Sequence, residues 1–268
     1  MANGYKGFLT DIDDTLFATS DFLPNALHMA LKKMIEYGLN ADFDDAMAEL
    51  LAIREHDSNA GYHFNMLLAA HGNDPFDQRI IVPGVDAYHN TKFALLERRE
   101  GVMNVLNYLR EKDFRLGVVS SGRKDKQIEK LDRLGILDFF IVRKGCKVVD
   151  DYIFIAGDNN KQELFKMAVK KMDLDLEKTI ALDDRLKGIH AANLAGIKYT
   201  IKLKHGKYRG QTPYSILLDE GIDYKRLLNP DKKTKRIIRS YTPKFEVSEW
   251  TELPKLIDSL IKYAMEWL

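Results

Sequence analysis

From Gly101 to the end of the chain, short apolar runs alternate with segments of helical period, and this alternation leaves few folds open. A helix over Gly101–Lys112 leads to a strand at Leu116–Val119, a helix at Lys124–Leu134 and a short strand at Phe139–Val142. The next stretch, 145–158, reads as a hairpin, with Lys147–Val149 and Tyr152–Ile155 flanking Asp150-Asp151. A helix at Lys161–Met172, a strand at Thr179–Leu182, a helix at Leu186–Ala195 and a strand at Lys198–Ile201 follow. Phe245–Val247 is a last short strand, and Leu253, Leu256, Ile257, Leu260 and Ile261 line one face of a final helix. Strands alternating with helices require right-handed crossovers and a parallel sheet covered on both faces. The expected fold class is therefore α/β, a Rossmann-like parallel sheet core.

One further strand stands near the start, at residues 7–10. After it the pattern turns helical. Pro24 opens a segment in which Ala26, Leu27, Met29, Ala30, Leu31, Met34 and Ile35 recur at helical spacing. Ala46–Ile53 and Tyr62–Ala70 continue the pattern, and no good strand occurs between residues 24 and 80. After Pro83-Gly84, a segment over Asp86–Glu97 runs toward the next helix. The block is thus an insertion into the sheet fold. We expect residues 1–17 and 98–268 to form the core, with a basic insertion at 202–242, and residues 18–97 to form an α-helical cap. Ligands of open parallel sheets collect beyond the C-terminal strand ends, where a cap inserted after the first strand can act as a lid.

The residues at those strand ends are polar. The first apolar run passes into Asp11-Ile12-Asp13-Asp14-Thr15. Two acids spaced by two share one side of a pleat. One can attack an electrophile while the other moves a proton, and together they can hold a divalent cation. The second strand ends in Ser120-Ser121-Gly122, offering a hydroxyl and main-chain amides to anionic oxygens. The third ends in Asp183-Asp184. Lys161, at a helix start 22 residues before Asp183, is the best-placed lysine to balance the charge.

These pieces, in this order, resemble the haloacid dehalogenase superfamily of aspartate-nucleophile hydrolases. Its first motif appears as Asp11, Asp13 and Thr15, and its second as the apolar strand ending in Ser120. The fourth is similar to the acidic pair and the Gly- and Ala-rich stretch from Asp183 to Gly196. The segment Ala87–Ala94 also resembles the junction of cap and core in an archaeal-type phosphatase group with a helical cap. The resemblance covers about residues 5–201 and resumes near Pro243. It implies that Asp11 forms an aspartyl-phosphate, that Asp13 is the acid and base, and that Ser120, Ser121 and Lys161 hold phosphoryl oxygens. It also implies Mg²⁺ held by Asp11, the main-chain carbonyl of Asp13 and one acid of the Asp183/Asp184 pair, with Asp184 favoured. One departure stands out. The family places lysine-proline where this chain has Asn159-Asn160, and Lys161 follows two positions later; Lys144 and Lys147 are weaker substitutes.

Composition adds bounds. The net charge is +1 and there is one cysteine, Cys146, so no internal disulfide forms and a reducing, cytoplasmic setting is expected. No charged-then-apolar leader and no run long enough to cross a bilayer are seen. His56, His63 and His71 recur at spacings of seven and eight, too far apart along a helix to chelate as neighbours, and His89 and Lys92 are read as packing or solvated residues. Segment 202–239 holds eleven Lys or Arg against four Asp or Glu, interleaved with Tyr208, Tyr214 and Tyr224. It reads as a solvated, partly helical excursion, with anion steering or nucleic-acid binding as the other readings. The expected function is a Mg²⁺-dependent phosphatase of a small phosphorylated metabolite, of the sugar phosphate or phosphoglycolate type. The alternatives are a phosphomutase, or a nucleic-acid-binding protein on a retained hydrolase core.

Overall fold

The structure, a computed structural model, describes residues 4–56, 61–156 and 160–265. The chain forms two compact units, residues 1–18 with 97–268 and residues 19–96.

The first unit is built on β1 (Tyr5–Thr10). The second unit supplies α1 (Leu23–Glu36), α2 (Phe43–His56), α3 (His63–Ala70) and α4 (Gln78–Ala94). The first unit then resumes with α5 (Val102–Glu111), β2 (Arg115–Ser121) and α6 (Lys124–Arg133). Next come β3 (Ile141–Lys144), β4 (Lys147–Asp151), β5 (Ile153–Ala156), α7 (Lys161–Lys171) and β6 (Leu174–Asp183). After α8 (Leu186–Leu194) and β7 (Tyr199–Leu203), three helices intervene: α9 (Pro213–Asp219), α10 (Tyr224–Leu228) and α11 (Lys232–Tyr241). Strand β8 (Phe245–Val247) and helix α12 (Leu253–Met265) close the chain.

Six strands form one parallel sheet in the order β5-β2-β1-β6-β7-β8. The chain runs outward from β1 to one edge, then returns to fill the other, so β1 stands at the reversal of strand order where such sheets bind ligands. β1 alternates its side chains between two covers. Leu9 joins Phe165 and Ala168 of α7, Met172 just past its end, and Ala191 and Ala192 of α8. Phe8 meets Trp250 edge-on, with ring centroids 6.1 Å apart, on its other side. There α5 and α12 are tied by Tyr108, whose hydroxyl donates to Asp258 at 2.6 Å.

Two expectations about strands are corrected. The hairpin is β3–β4, turning at Gly145 in the left-handed region, and β5 is not part of it. Ile153 and Phe154 are buried and pair with β2, whereas Val148 and Val149 are more than half exposed. Alternation could not show that the more apolar half of the segment belongs to the sheet. The strand read at Phe139–Val142 begins only at Ile141, after a 3-10 turn over Leu137–Phe139.

The described residues of the second unit contain no strand. Its core gathers Leu27, Leu31 and Met34 of α1 with Leu50 of α2, Leu67 of α3 and Ile80 of α4. Pro83-Gly84 does not break the chain here; α4 runs through it. A Cβ at Gly84 would lie 2.5 Å from Met34 Cγ, so the missing side chain lets α4 press against α1, and that packing outweighs the lost helical hydrogen bond. His56 and His63 lie on separate helices. Lys92 is buried in this unit with its ammonium 5.0 Å from the centre of the Phe93 ring.

Candidate active site

β1 ends at Thr10, and the chain turns at once. The Leu16 amide donates to the Ile12 carbonyl at 2.9 Å, and Asp14 takes a left-handed φ of 58°. Asp is among the few residues that tolerate that region. The turn is fastened from distant parts of the chain. Arg99 donates to the Asp14 carbonyl at 2.8 Å, and the Trp250 indole donates to the Thr15 carbonyl at 2.8 Å.

Asp11 and Asp13 therefore do not share a pleat side, because the strand stops before either acid. Asp11 is buried and accepts from Lys161 Nζ at 2.8 Å. Asp13 turns to α6 instead, accepting from Gln127 Nε2 at 2.8 Å and from Lys130 Nζ.

Lys161 opens α7 and reaches the third strand tip as well, donating to Asp183 Oδ2 at 2.9 Å. This lysine joins the ends of β1 and β6 despite its displaced position. Asn159, the place to which the family spacing points, lies outside the described residues. Lys144 and Lys147 pair with each other at the exposed end of the β3–β4 hairpin. Burial works against the Lys161 ammonium, but Asp11 and Asp183 outweigh it and its pKa is raised.

The two acids of the pair differ. Asp183 has both oxygens engaged, Oδ2 by Lys161 and Oδ1 by the Arg185 amide at 2.9 Å. Its place is carved out by Gly188, where an added Cβ would stand 1.8 Å from Asp183 Oδ2. Asp184 is fully buried; Thr15 Oγ1 donates to its Oδ1 at 3.3 Å, and its Oδ2 has no partner. Burial, then the charges of Asp183, Asp11 and Asp14, pushes Asp184 up to about 9. Burial foremost, with Asp183 adding and Lys161 opposing, pushes Asp11 up to about 6. Three buried carboxylates this close together are costly unless a cation joins them.

Asp11, Asp183 and Asp184 each bring an oxygen within 4.8 Å of the others, the only such group among the described residues. A hard, all-oxygen donor set with a bare buried carboxylate oxygen fits Mg²⁺. Ser120 is buried near the end of β2, two residues past Val118, which lies opposite Thr10 of β1. Ser121 ends that strand; it lines a cleft of about 230 Å³ with Lys161, Arg185 and Lys187, and its carbonyl accepts from Gln127 at 2.8 Å.

Sequence reasoning missed Gln127, Lys130, Arg99 and Trp250, and gave Gly188 no role beyond its place in the stretch from Asp183 to Gly196. Gln127 and Lys130 share a helix face by their spacing of three, but nothing in the sequence aims that face at Asp13.

A family model for haloacid dehalogenase-like hydrolases matches residues 5–196. A glyceraldehyde 3-phosphate phosphatase of Methanocaldococcus jannaschii is 39% identical over 221 residues, covering 82% of this chain and 91% of the relative. The enzyme of the same name from Methanopyrus kandleri is 38% identical over 212 residues, covering 78% and 88%. Among solved structures, a HAD phosphatase from Thermococcus onnurineus superposes with a TM-score of 0.61 at 17% identity, covering 94% of this chain and 97% of that one; it shares the fold. This chain belongs to the haloacid dehalogenase-like hydrolases, with the α/β core that its motifs implied. Its activity is that of a phosphoric monoester hydrolase, and neither the mutase nor the non-enzymatic alternative is favoured by these relatives.

Proposed function

We propose that the protein dephosphorylates a small sugar phosphate, glyceraldehyde 3-phosphate first among candidates, in the cytoplasm and with Mg²⁺. The observation that carries the site assignment is Lys161, which ties Asp11 to Asp183 beside the bare oxygen of Asp184. The names of the relatives and their coverage of this chain support the substrate. No helix among the described residues is long and apolar enough to cross a membrane.

In this reading an Asp11 oxygen attacks phosphorus and the ester P–O bond breaks, with Asp13 giving its proton to the leaving oxygen. Asp13 then takes a proton from water, whose oxygen attacks the aspartyl-phosphate and frees both phosphate and Asp11. Because Lys130 and Gln127 occupy both oxygens of Asp13, the acid step requires Asp13 to leave Lys130 and take up a proton from solvent before giving it to the leaving oxygen. Lys161, Ser120 and Ser121 hold the phosphoryl oxygens. Asp11, the Asp13 carbonyl and Asp184 would hold Mg²⁺, which would supply charge neutralisation for the phosphoryl group. Asp183, with its oxygens already taken, positions Lys161 rather than binding the ion.

A panel of phosphate esters with Mg²⁺ tests the reading, and release of phosphate from none of them overturns it. Lys161→Ala is expected to lower turnover at least tenfold, about 1.4 kcal/mol in barrier height. Unchanged turnover would assign phosphoryl neutralisation to another cation.

The pH dependence of metal binding follows from Asp184. Its pKa is raised in the fold, so the folded state holds the proton more tightly than the unfolded chain does. Without metal this group lowers stability as pH climbs from the ordinary carboxylate range to about 9. Asp11 adds the same trend up to about 6. Mg²⁺ binds the ionised carboxylates and offsets this loss. The rise in Tm on adding Mg²⁺ should therefore be larger at pH 8 than at pH 5. Differential scanning fluorimetry with EDTA or Mg²⁺ measures this, and a shift independent of pH contradicts the assignment.

A further inference from the structure

The family match ends at residue 196, and the phosphatase chemistry makes no use of what lies between β7 and β8. That insertion is a folded piece. Ile216 and Leu217 of α9, Leu227 of α10 and Tyr241 of α11 pack with Leu186 and Ile189 of α8 into a cluster of their own. It is fixed to the sheet by Lys202, a fully buried lysine of β7 that donates to the Gln211 carbonyl at 2.8 Å. Thr212, Asp223 and Asp231 cap the three helices.

Charge is distributed unevenly about this piece. Residues 202–239 carry eleven Lys or Arg against four Asp or Glu, while the rest of the chain carries thirty against thirty-six. The excess concentrates on α11. Thr234 and Tyr241 turn inward, and Lys232, Lys233, Lys235, Arg236 and Arg239 are exposed. None of these five makes an ion pair with an acid among the described residues, although surface cations elsewhere commonly do. Beside α11 runs a groove of about 720 Å³ lined by Arg236, Arg239, Lys244 and Lys198. Its one acid, Glu177, is already paired with Lys198 at 2.6 Å.

We propose that this surface docks single-stranded nucleic acid, with the outer face of α11 and its groove following the phosphate backbone. The ten residues of α11 span about 15 Å, enough to meet successive phosphates rather than one. Tyr214 and Tyr224, on α9 and α10, are about half or more exposed and offer rings for bases to stack on. A membrane fits less well, because the apolar face of α11 is spent on the cluster beneath it and none is left to insert.

The test uses the full-length protein and a fluorescein-labelled 20-nucleotide single-stranded RNA or DNA, read by anisotropy over a salt series. Binding is expected at low salt, with log K falling against log salt with a slope of about −2 or steeper, roughly 0.7 per phosphate contact. The variant Lys232→Glu/Lys235→Glu/Arg236→Glu/Arg239→Glu should weaken binding at least tenfold and leave phosphate release unchanged. A control with the same change in charge at exposed sites elsewhere, Lys32→Glu/Lys147→Glu/Lys170→Glu/Lys255→Glu, should bind as the parent does. Circular dichroism checks that both remain folded. No binding at 50 mM salt (about the lower bound of the usual range), equal weakening in both variants, or capture by phosphatidylserine vesicles with none by nucleic acid each overturns the proposal.

Discussion

Asp11→Asn is expected to abolish phosphate release while the protein stays folded. The amide cannot attack phosphorus, and loss of a covalent nucleophile typically costs about 10³-fold or more in turnover. The fold should survive because of how the charges are arranged. Lys161 keeps its bond to Asp183 at 2.9 Å, so no buried cation is stranded. One of three crowded carboxylates also becomes neutral, which relieves Asp184. The metal-free variant should therefore melt at or above the temperature of the parent, as happens when a strained catalytic group is neutralised. Two measurements check this, a phosphate-release assay and a thermal melt in EDTA. Activity near that of the parent would remove Asp11 from the role of nucleophile. A large fall in Tm would show that its charge is structural.

Gly188→Ala should damage both stability and activity although the residue brings no side chain of its own to the site. The new Cβ would stand 1.8 Å from Asp183 Oδ2 and 2.2 Å from its Cγ, so the carboxylate must move. Overpacking a buried site costs about 1–3 kcal/mol, and more where the displaced group is charged. Moving Asp183 also removes one of the two anchors of Lys161. We expect a lower Tm, together with a loss in kcat/KM comparable to that of Lys161→Ala. Asp183→Ala/Gly188→Ala separates the two effects. Without the carboxylate the three atoms nearest the new Cβ are gone, so Tm should recover relative to Gly188→Ala while kcat/KM stays low. Recovery of both would mean that Asp183 contributes only packing. Gly188→Ala behaving like the parent would mean that the position of the Asp183 carboxylate matters to neither stability nor turnover.

The parallel sheet with its alternating helices was legible because apolar runs and helical periods depend on local backbone geometry, which neighbouring residues dictate. Strand partners were not. The segment from Lys147 to Ile155 looks like a hairpin in isolation, and only the buried face of β2 draws Ile153 and Phe154 into the sheet. The segment over Asp86–Glu97 carries no helix in the sequence reading, and only the approach of Met34 to Gly84 makes a continuous α4 through it worthwhile. Both differences come from contacts between residues far apart in the chain.

Chemistry divides along the same line. Which side chains stand at the strand tips, Asp11, Asp13, Ser120, Asp183 and Asp184, is settled by sequence alone, since a strand buried on both faces can carry charge only at its end. Where those side chains point belongs to the tertiary structure. It sends Asp13 to α6 and Asp11 to α7, leaves one oxygen of Asp184 bare, and brings a lysine two positions out of register onto two acids at once. The physical reason is range. Propensity and period act over a few residues, whereas burying three carboxylates beside one ammonium is an electrostatic balance struck among β1, β6 and α7, segments that meet only when the sheet closes.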